Sequence, residues 1–253
     1  KMSLEVLKIS FIVVEYHSIE DIITCYSSII GIIPSNWQCE VIVSSNSVYP
    51  LKQQEELKTL YKDIKWRFNE KNGGFAYAMN QGLSIADGDI LVIMNPDVRL
   101  KTGIEKMVTY LYSHNEIGVI APKIININGK IQDSFRDFIT PMNFIKRHLS
   151  RIFKSTNQIG IIEVISQVDW VIGAFMMMPR QAYEVVKGLD EYYFLYCEDM
   201  DFCKRIQLEG FSVVYYPESE IEYEGTRSAR RSLKYACIFF KSLLRYWTKF
   251  GFN

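Results

Sequence analysis

The stretch DILVIMNPD at residues 89–97 decides the fold of this chain. Its consecutive apolar residues, 90–94, predict a strand that is buried on both faces, as strands of a parallel sheet are. Asn95 and Pro96 end the strand, and proline fixes the backbone just before Asp97. Ligand crevices of open parallel sheets lie beyond the carboxyl ends of the strands. Asp97 is therefore placed where chemistry is expected.

Upstream of this stretch, strand and helix patterns alternate. Apolar, β-branched runs predict the strands, whereas the spacing of Ser18 and Asp21 and the position of Pro50 mark two helix starts. The alternation indicates a parallel sheet covered by helices. The predicted segments are a strand at 9–14, a helix that ends near Gly31, a strand at 40–43, a polar helix after Pro50 and a strand at 64–68.

Downstream, the pattern continues with less regularity. Asn128 and Gly129 indicate a hairpin, residues from about 137 to 166 carry no pattern, and Gly210 closes the last helix of the domain. The predicted segments here are helices at 75–86 and around 102–114, strands around 117–125 and 168–178, and a helix at 198–209.

The composition restricts the classes of function. With 253 residues, 48% of them hydrophobic, the chain can bury a large core, which excludes a disordered protein. The 29 basic and 29 acidic residues balance, which argues against nucleic-acid binding. Five scattered cysteines fit a reducing cytosol. No apolar stretch approaches the ~20 residues of a membrane span, and no secretory signal precedes the first strand, so we expect a cytoplasmic protein.

Asp97 has two interpretations. A carboxylate held behind a buried strand and a proline can bind a hard cation such as Mn²⁺ or Mg²⁺, which would bridge the oxygens of a diphosphate. Asn, Pro and Asp are also common in turns, so the tripeptide 95–97 is equally compatible with a turn that has no function.

The segment YFLYCEDMDF at 193–202 crowds three acids behind an aromatic approach. At a helix N-terminus the backbone amides favour ionised carboxylates, so Glu198 and Asp199 would stay charged, and Asp199 is the candidate general base. The alternative is that one of these two acids caps the helix while Asp201 pairs with Arg205 four residues on. We favour the functional interpretation for Asp199 and the structural one for Asp201.

Residues 72–75, NGGF, open a helix with glycines that would let backbone amides approach a phosphate or ribose. An ordinary tight turn explains the same glycines. Neither GxGxxG nor the phosphate-loop lysine pattern occurs in the chain, which argues against dehydrogenases and P-loop NTPases.

The last segment predicts a basic amphipathic helix that either rests on an anionic membrane surface or packs on its own domain. Basic residues recur on one face, namely Arg227, Arg231, Lys234, Lys241, Arg245 and Lys249. Apolar residues lie opposite, namely Leu233, Cys237, Phe240, Leu244 and Trp247.

Together these segments resemble the inverting family 2 glycosyltransferases, and within them the rhamnosyltransferase-like proteins of bacterial O-antigen and cell-wall polysaccharide assembly. The resemblance covers roughly residues 8–250. It rests on the strand end near Tyr16, NGGF at 72–75 with Asn80, NPD at 95–97, WVIGAFM at 170–176 and EYYFLYCEDMD at 191–201. It implies a GT-A fold, with a Rossmann-like, mostly parallel sheet flanked by helices, in residues 1–226, and the C-terminal amphipathic helix in 227–253.

The resemblance also implies roles for single residues. Asp97 occupies the metal-binding position, and Asp199, supported by Glu198, that of the base which deprotonates the acceptor hydroxyl. The residues that match the nucleotide-sugar site are Tyr16, Ser45, Asn72, Gly74, Asn80, Asn95 and Asp97. Those on the acceptor side are Trp170, Gly173, Ala174 and Arg227.

The implied reaction is a metal-dependent transfer, with inversion, of a sugar from a dTDP- or UDP-sugar to a hydroxyl of a polyprenyl-diphosphate-linked saccharide in surface polysaccharide synthesis. L-Rhamnose from dTDP-rhamnose is the expected donor by likeness. Such a protein would lie in the cytoplasm or peripherally on the inner face of the cell membrane.

Three positions depart from the family pattern. Ser45 stands where an aspartate usually recognises the pyrimidine, Tyr223 stands where many relatives have a histidine, and Glu15 replaces a small or amide residue beside Tyr16. Glu224 or Arg227 could compensate at the second position. The departures keep an alternative open, a non-catalytic nucleotide- or sugar-binding protein of the same fold. A purely structural partner in an assembly complex would bind no nucleotide.

Overall fold

Strands and helices alternate along the chain, and the computed structural model describes residues 7–145, 163–225 and 233–252. The strands are β1 (Lys8–Glu15), β2 (Gln38–Ser45), β3 (Ile64–Phe68), β4 (Ile90–Met94), β5 (Arg99–Leu100), β6 (Ile117–Ile125), β7 (Phe135–Arg136), β8 (Ser166–Gln167), β9 (Trp170–Val171), β10 (Phe175–Pro179) and β11 (Ser212–Glu222). The helices are α1 (Ile19–Ile32), α2 (Leu51–Leu60), α3 (Phe75–Leu83), α4 (Glu105–Ser113), α5 (Arg180–Val186), α6 (Glu198–Leu208) and α7 (Leu233–Phe250).

The central sheet has the strand order β3-β2-β1-β4-β10-β6-β11-β5, with β8 added beside β11. Strands β3, β2, β1 and β4 are parallel, as predicted, and so are β6 and β11. Strand β10 runs antiparallel between β4 and β6. The chain order reverses next to β1, which has β2 on one side and β4 on the other. The carboxyl ends of β1 and β4 therefore border the crevice that such a reversal creates.

Side chains of β1 alternate between two apolar cores, one on each face of the sheet. Phe11 belongs to the core formed with α1 and α4, whereas Ile12 belongs to the core formed with α3 and α6. Both are completely buried, and burying an Ile or Phe side chain stabilises a fold by roughly 1.5–3 kcal/mol. A central strand with two buried faces fixes the positions of Glu15 and Tyr16 at its end.

The predicted strand at 168–178 is in fact two strands, β9 and β10, because the chain leaves the ladder between them. The Gly173 amide donates to Asp199 Oδ2 at 2.9 Å instead of to a neighbouring strand. Strand β11 and helix α5 are absent from the sequence prediction. Pro217 interrupts the strand pattern of β11, and the sheet accommodates it at a register shift between Tyr216 and Glu220.

Helix α7 packs on the rest of the chain, which is one of the two arrangements left open above. Leu243, Tyr246 and Trp247 are buried, and Trp247 Nε1 donates to the carbonyl of Ile139 at 2.6 Å. The predicted apolar face is therefore divided, because three of its large side chains are exposed instead. These are Leu233, Phe240 and Leu244.

The basic face of α7 is divided as well. Lys249 Nζ donates to Asp201 Oδ2 at 2.6 Å and to Asp190 Oδ2 at 2.8 Å, and Arg245 donates to Asp190 at 3.0 Å. The remaining described lysines of this face, Lys234 and Lys241, are exposed, while Arg227 and Arg231 lie outside the described residues. None of the helices in the described ranges combines the length and apolarity needed to cross a bilayer.

Candidate active site

Asp97 follows β4 at the carboxyl edge of the sheet, at the crevice beside β1. Burial raises the pKa of its carboxyl group, and the Asp21 carboxylate raises it further, whereas backbone hydrogen bonding and the Arg99 guanidinium oppose the shift. An acid in such a setting gains from a nearby cation. The fold therefore leaves Asp97 able to bind a positive ligand.

Tyr223 connects Asp97 with Asp199. Asn95 donates its amide nitrogen Nδ2 to the Tyr223 hydroxyl at 3.2 Å, and its backbone N–H donates to the carbonyl of Ala174 at 3.0 Å. Burial raises the pKa of Tyr223 to about 12, and the charges of Asp97 and Asp199 both raise it. One phenol thus lies within electrostatic reach of two acids that are about a hundred residues apart in sequence. Both acids therefore lie on the side of the sheet where Tyr223 is placed.

Asp199 lies in the first turn of α6 with 9% of its surface exposed. Its two oxygens accept the backbone N–H groups of Gly173 at 2.9 Å and Met200 at 2.8 Å. Burial raises the pKa of Asp199, against the effect of these hydrogen bonds and of the Arg136 guanidinium. A Cβ atom on Gly173 would lie 3.3 Å from the Asp199 Cβ, so glycine allows this close approach.

Glu198 is buried next to Asp199. Its Oε2 has no hydrogen-bond partner within the ranges that the structure describes. Burial and the neighbouring Asp199 charge raise its pKa well above the ordinary value of a glutamate. An acid kept in such a place costs stability, which makes a purely structural role for Glu198 a poor explanation.

Asp201 has the structural role that we favoured for it. Its carboxylate accepts Arg205 Nε at 2.6 Å, the Tyr193 hydroxyl at 3.1 Å and Lys249 Nζ at 2.6 Å, and it is completely buried. A buried acid with two cationic partners and a hydroxyl donor is satisfied. It therefore ties α6 to α7 and does not join the cleft chemistry.

The glycine-containing loop before α3, residues 72–74, contacts the segment that leads into α6. A Cβ atom on Gly74, whose φ is 91°, would lie 2.2 Å from the Phe194 carbonyl oxygen, and the Phe75 N–H donates to that oxygen at 2.8 Å. Asn72 Oδ1 accepts the Gly74 N–H at 3.0 Å. The close approach that requires glycine is thus made to the segment leading into α6.

Asn80 holds the same segment at a second point. Its Nδ2 donates to the Leu189 carbonyl at 2.8 Å and to Glu191 Oε1 at 2.9 Å, and its Oδ1 accepts the Leu189 N–H at 3.0 Å. These contacts engage both ends of the amide. In this structure Asn80 acts through the loop that positions Glu198 and Asp199.

Trp170 lies on β9 beside β7, and its ring nitrogen donates to the Asp137 carbonyl at 3.1 Å. The Arg136 guanidinium lies 5.7 Å from the centre of this ring. Since the same guanidinium lowers the pKa of Asp199, Arg136 belongs to the surroundings of the cleft. The sequence did not predict Arg136 as a site residue, because β7 is only two residues long and its sequence shows no strand pattern. The Ala174 carbonyl accepts the backbone N–H of Asn95, which lies two residues before Asp97. Arg227 lies outside the described residues.

The residues predicted to bind the nucleotide base lie at the carboxyl ends of β1 and β2. Tyr16 follows β1 with 53% of its surface exposed, whereas Ser45 ends β2 almost completely buried. The Ser45 hydroxyl donates to Glu15 Oε2 at 2.5 Å. Ser45 and Glu15, two of the departures from the family pattern, are therefore direct partners across the two strands.

The donor set fits a divalent cation that takes most of its ligands from elsewhere. No group of three or more His, Cys, Asp or Glu side chains arranged for a metal occurs among the described residues. Asp97 offers a carboxylate at the end of β4. Mg²⁺ is commonly held by one or two carboxylates together with substrate phosphates and water. The arrangement fits such a shared site and does not fit a cage made by the protein alone.

Three curated relatives share part of the sequence. The chain is 26% identical over 217 residues to the low-salt glycan biosynthesis hexosyltransferase Agl10 of Haloferax volcanii, covering 81% of this chain and 63% of that protein. It is 29% identical over 139 residues to the rhamnosyltransferase WbbL of Escherichia coli K12, covering 52% and 51%. Against the N-acetylglucosaminyl-diphospho-decaprenol L-rhamnosyltransferase of Mycobacterium tuberculosis it is 26% identical over 151 residues, covering 56% and 49%. The chain spans about half to 63% of the length of these relatives.

Solved structures show the fold. The mannosyltransferase PcManGT from Pyrobaculum calidifontis, in complex with GDP-Man and Mn²⁺, superposes with a TM-score of 0.65 at 14% identity, covering 97% of this chain and 65% of that one. GalNAc-T7 with UDP, GalNAc and Mn²⁺ gives 0.65 at 17% identity, covering 87% and 44%. The predicted GT-A fold, a mixed and mostly parallel sheet flanked by helices with a C-terminal helix, is confirmed.

The family is shown by a sequence profile. The profile described as "Glycosyl transferase family 2" matches residues 10–186, which is more than half of the chain. The matched segment contains Asp97 and Gly173 and ends before Asp199. On this match and the GT-A architecture, the chain belongs to glycosyl transferase family 2.

Proposed function

We propose that this chain is a metal-dependent, inverting glycosyltransferase that moves a sugar from a nucleoside-diphosphate donor to an acceptor hydroxyl. One observation carries the proposal: the Asn95 N–H, two residues before Asp97, donates to the Ala174 carbonyl, and the neighbouring Gly173 N–H donates to Asp199 Oδ2. A metal-binding acid and a basic acid are thereby available at one crevice of a family 2 fold. Nucleotide-sugar transfer needs this combination.

Asp199 is the proposed base. As the acceptor hydroxyl attacks the anomeric carbon, its proton passes to an Asp199 oxygen, the bond from that carbon to the diphosphate breaks, and the configuration inverts. Each Asp199 oxygen accepts one N–H and keeps a lone pair for the incoming proton. The raised pKa makes it a better base than an exposed aspartate. Glu198, buried beside it, is the proposed supporting residue.

Asp97 is the proposed metal ligand, for Mn²⁺ or Mg²⁺. When bound, the cation supplies electrostatic stabilisation of the leaving diphosphate. Tyr223 adds a donor, because its raised pKa keeps the phenol neutral at physiological pH and its oxygen already accepts Asn95 Nδ2. Its own proton is thus left for an anionic oxygen.

The donor is proposed to lie along the carboxyl ends of β1, β2 and β4. There the exposed ring of Tyr16 offers a stacking surface for a base or sugar. L-Rhamnose from dTDP-rhamnose is the proposed sugar, supported by the two rhamnosyltransferases among the relatives. The remaining proposed donor residues are Ser45, Asn72, Gly74, Asn80 and Asn95.

The acceptor is proposed to be a polyprenyl-diphosphate-linked saccharide in surface polysaccharide synthesis, supported by the decaprenol-linked substrate in the name of one relative. It would enter past Trp170, Gly173 and Ala174, with Arg227 near its diphosphate. The exposed apolar residues of α7, with Lys234 and Lys241 beside them, suit an anionic bilayer surface. We therefore propose that residues 227–253 bring a cytoplasmic domain, residues 1–226, to the inner face of the membrane.

The test is transfer itself. The purified protein is incubated with dTDP-rhamnose or UDP-sugars and a polyprenyl-diphosphate-linked N-acetylglucosamine, with Mn²⁺ or with a chelator. We expect a product of inverted anomeric configuration with Mn²⁺ and none with the chelator, read by mass spectrometry and NMR. Tight calorimetric binding of the nucleotide-sugars without transfer to any acceptor would favour the non-catalytic binding protein instead.

A further inference from the structure

Glu15 is a completely buried carboxylate at the end of β1. Its Oε1 accepts the Ser18 N–H at 2.9 Å, the Ser47 hydroxyl at 3.0 Å and the Tyr49 hydroxyl at 3.0 Å. Its Oε2 accepts the Ser45 hydroxyl at 2.5 Å. Four donors from two loops and a strand thus converge on one side chain.

No salt bridge reaches Glu15 from any residue in the described part of the chain. A buried carboxylate without a cation is costly, and only hydrogen bonds from its surroundings offset that cost. The fold accepts this cost at the carboxyl end of β1. His17, in the turn that Glu15 holds, adopts a left-handed φ of 53°, and its N–H donates to Ser47 Oγ at 2.7 Å.

The carboxylate determines which way the hydroxyl protons point. An ionised carboxylate only accepts, so the protons of Ser45, Ser47 and Tyr49 are all directed at Glu15. Ser45 Oγ also accepts the Ser47 N–H at 3.3 Å, and Ser47 Oγ accepts the His17 N–H, so each of these two oxygens keeps one lone pair. Ser45 is buried, whereas Ser47 and Tyr49 are partly exposed, so their remaining lone pairs are what this group of hydroxyls can present to a ligand. This end of the crevice is therefore lined by acceptors.

We propose that Glu15 is a positioning residue that makes the nucleotide end select a base edge carrying an N–H donor. The inference rests on the proposed function. An imide edge, as in uracil and thymine, offers an N–H donor at its central position, whereas cytosine offers an acceptor there. Acceptor oxygens oriented by Glu15 can accept the N–H of uracil or thymine, whereas they repel the acceptor nitrogen of cytosine. Glu15 itself, with no exposed surface, acts only through the hydroxyls.

Glu15→Gln tests the inference. The amide keeps the size of the side chain but its nitrogen donates, so the Ser45 hydroxyl can no longer point at that atom and turns its proton elsewhere. Calorimetry with UDP, dTDP and CDP, each with Mn²⁺, measures base selectivity. We expect the wild type to bind UDP or dTDP at least about tenfold more tightly than CDP, and Glu15→Gln to lose most of this ratio. The KM for the donor should rise about tenfold with kcat within about threefold.

The matched control is Glu40→Gln. Glu40 lies at the opposite end of the same strand pair, and its Oε1 likewise accepts a serine hydroxyl, that of Ser10, at 2.6 Å. It should change neither base selectivity nor KM. If Glu15→Gln does not fold, Tyr49→Phe and Ser47→Ala each remove one acceptor oxygen at the surface and should each reduce the ratio.

The outcomes separate this inference from the proposed function. A folded Glu15→Gln protein with unchanged selectivity, or surface variants with unchanged selectivity, would overturn the inference. So would a wild type that binds CDP as tightly as UDP and dTDP. A wild type that binds no nucleoside diphosphate at all would overturn the proposed function, and the inference with it.

Discussion

The two ends of the β1–β2 strand pair place acids in opposite electrostatic surroundings. At the amino end, Glu40 lies 3.7 Å from Lys8 and 3.3 Å from Lys65. There a hydrogen bond with Glu40, together with one from Lys8, lowers the pKa of Asp87 to about 2. At the carboxyl end, Glu15 is surrounded by hydroxyls and a backbone amide instead of cations.

The same contrast extends across the sheet. Burial raises the pKa of Asp97, Glu198 and Asp199, all near the carboxyl edge. The acids Glu40 and Asp87 at the amino edge are paired with lysines, which is a stabilising role in the fold. Acids at the carboxyl edge cost stability, and such costs persist where a site needs reactive or ligand-binding groups. The difference in environment, rather than in residue type, identifies the working edge.

The largest effect is expected at Asp199. Asp199→Asn keeps the shape and removes the basic carboxylate, so kcat for sugar transfer should fall at least ~100-fold. Asp87→Asn, the same change at the exposed amino edge, should leave kcat within about twofold. Steady-state kinetics on both variants measures the contrast. Equal losses in the two would erase the distinction between the edges.

The pH profile sharpens this prediction. A base works only when deprotonated, so wild-type kcat/KM should rise with pH through the pKa of Asp199. Because burial raises that pKa, the rise should be centred above the ordinary aspartate value of 3.8. The rise should vanish from the residual activity of Asp199→Asn. A wild-type profile that is flat from acidic to neutral pH would contradict the assignment.

Asp97→Asn should lower turnover about 100-fold at a fixed Mn²⁺ concentration, because the amide is a weaker ligand for a hard cation. Raising the Mn²⁺ concentration should recover part of the loss. Asp21→Asn is the control, since Asp21 is a nearby acid with half of its side chain exposed and a contact to Arg99 at 3.5 Å. Titration of activity against Mn²⁺ distinguishes the two. A variant Asp97→Asn with the wild-type metal dependence would exclude Asp97 as the ligand.

The sequence was sufficient for the parts of the molecule that follow a period. Apolar runs predicted β1 to β4, and the parallel order of these strands places Asp97 at their carboxyl edge. The crowding of Glu198, Asp199 and Asp201 in the sequence indicated that this segment contains candidate site residues. Asp201 was correctly separated from them by its spacing to Arg205, a contact the structure contains at 2.6 Å.

The remainder depends on contacts between distant segments. Arg136 comes from a two-residue strand without a pattern, and the helical spacing of α7 is the same whether Lys249 faces lipid or Asp201. The sequence also presents Glu15 and Ser45 as two unrelated departures. Their hydrogen bond exists only because β1 and β2 pair in the register that puts these residues side by side.

A smaller loss is expected at Tyr223. Tyr223→Phe removes a proton donor from the cleft and leaves Asn95 Nδ2 without its acceptor, so kcat should fall about tenfold. Tyr215→Phe is the control, because Tyr215 lies on β11 and burial likewise raises its pKa to about 12. Kinetics and thermal melting of both variants separate a cleft effect from a folding effect. A similar loss in both would indicate that Tyr223 acts only in packing.

The smallest effect is expected in the free energy of unfolding, and it tests whether the buried acids at the carboxyl edge reduce stability. The pKa of Glu198 is raised in the folded state above its ordinary value of 4.5, so the folded chain keeps a proton that the unfolded chain releases. The free energy of unfolding should therefore be greatest below that value and fall as pH rises toward the folded pKa, by up to about 1.4 kcal/mol for each pH unit. Glu198→Gln removes this titration and should make the dependence shallower. Urea unfolding at several pH values measures it.

Glu209→Gln provides the comparison for that experiment, because Glu209 lies exposed at the other end of α6. It should keep the wild-type slope, since the exposed Glu209 side chain remains in water when the chain folds. Asp199, whose pKa is also raised, should leave Glu198→Gln with a shallower slope but not a flat one. Identical slopes in the wild type and Glu198→Gln would mean that the buried acid at the cleft carries no electrostatic cost. Retention of these acids for chemistry would then have no physical basis.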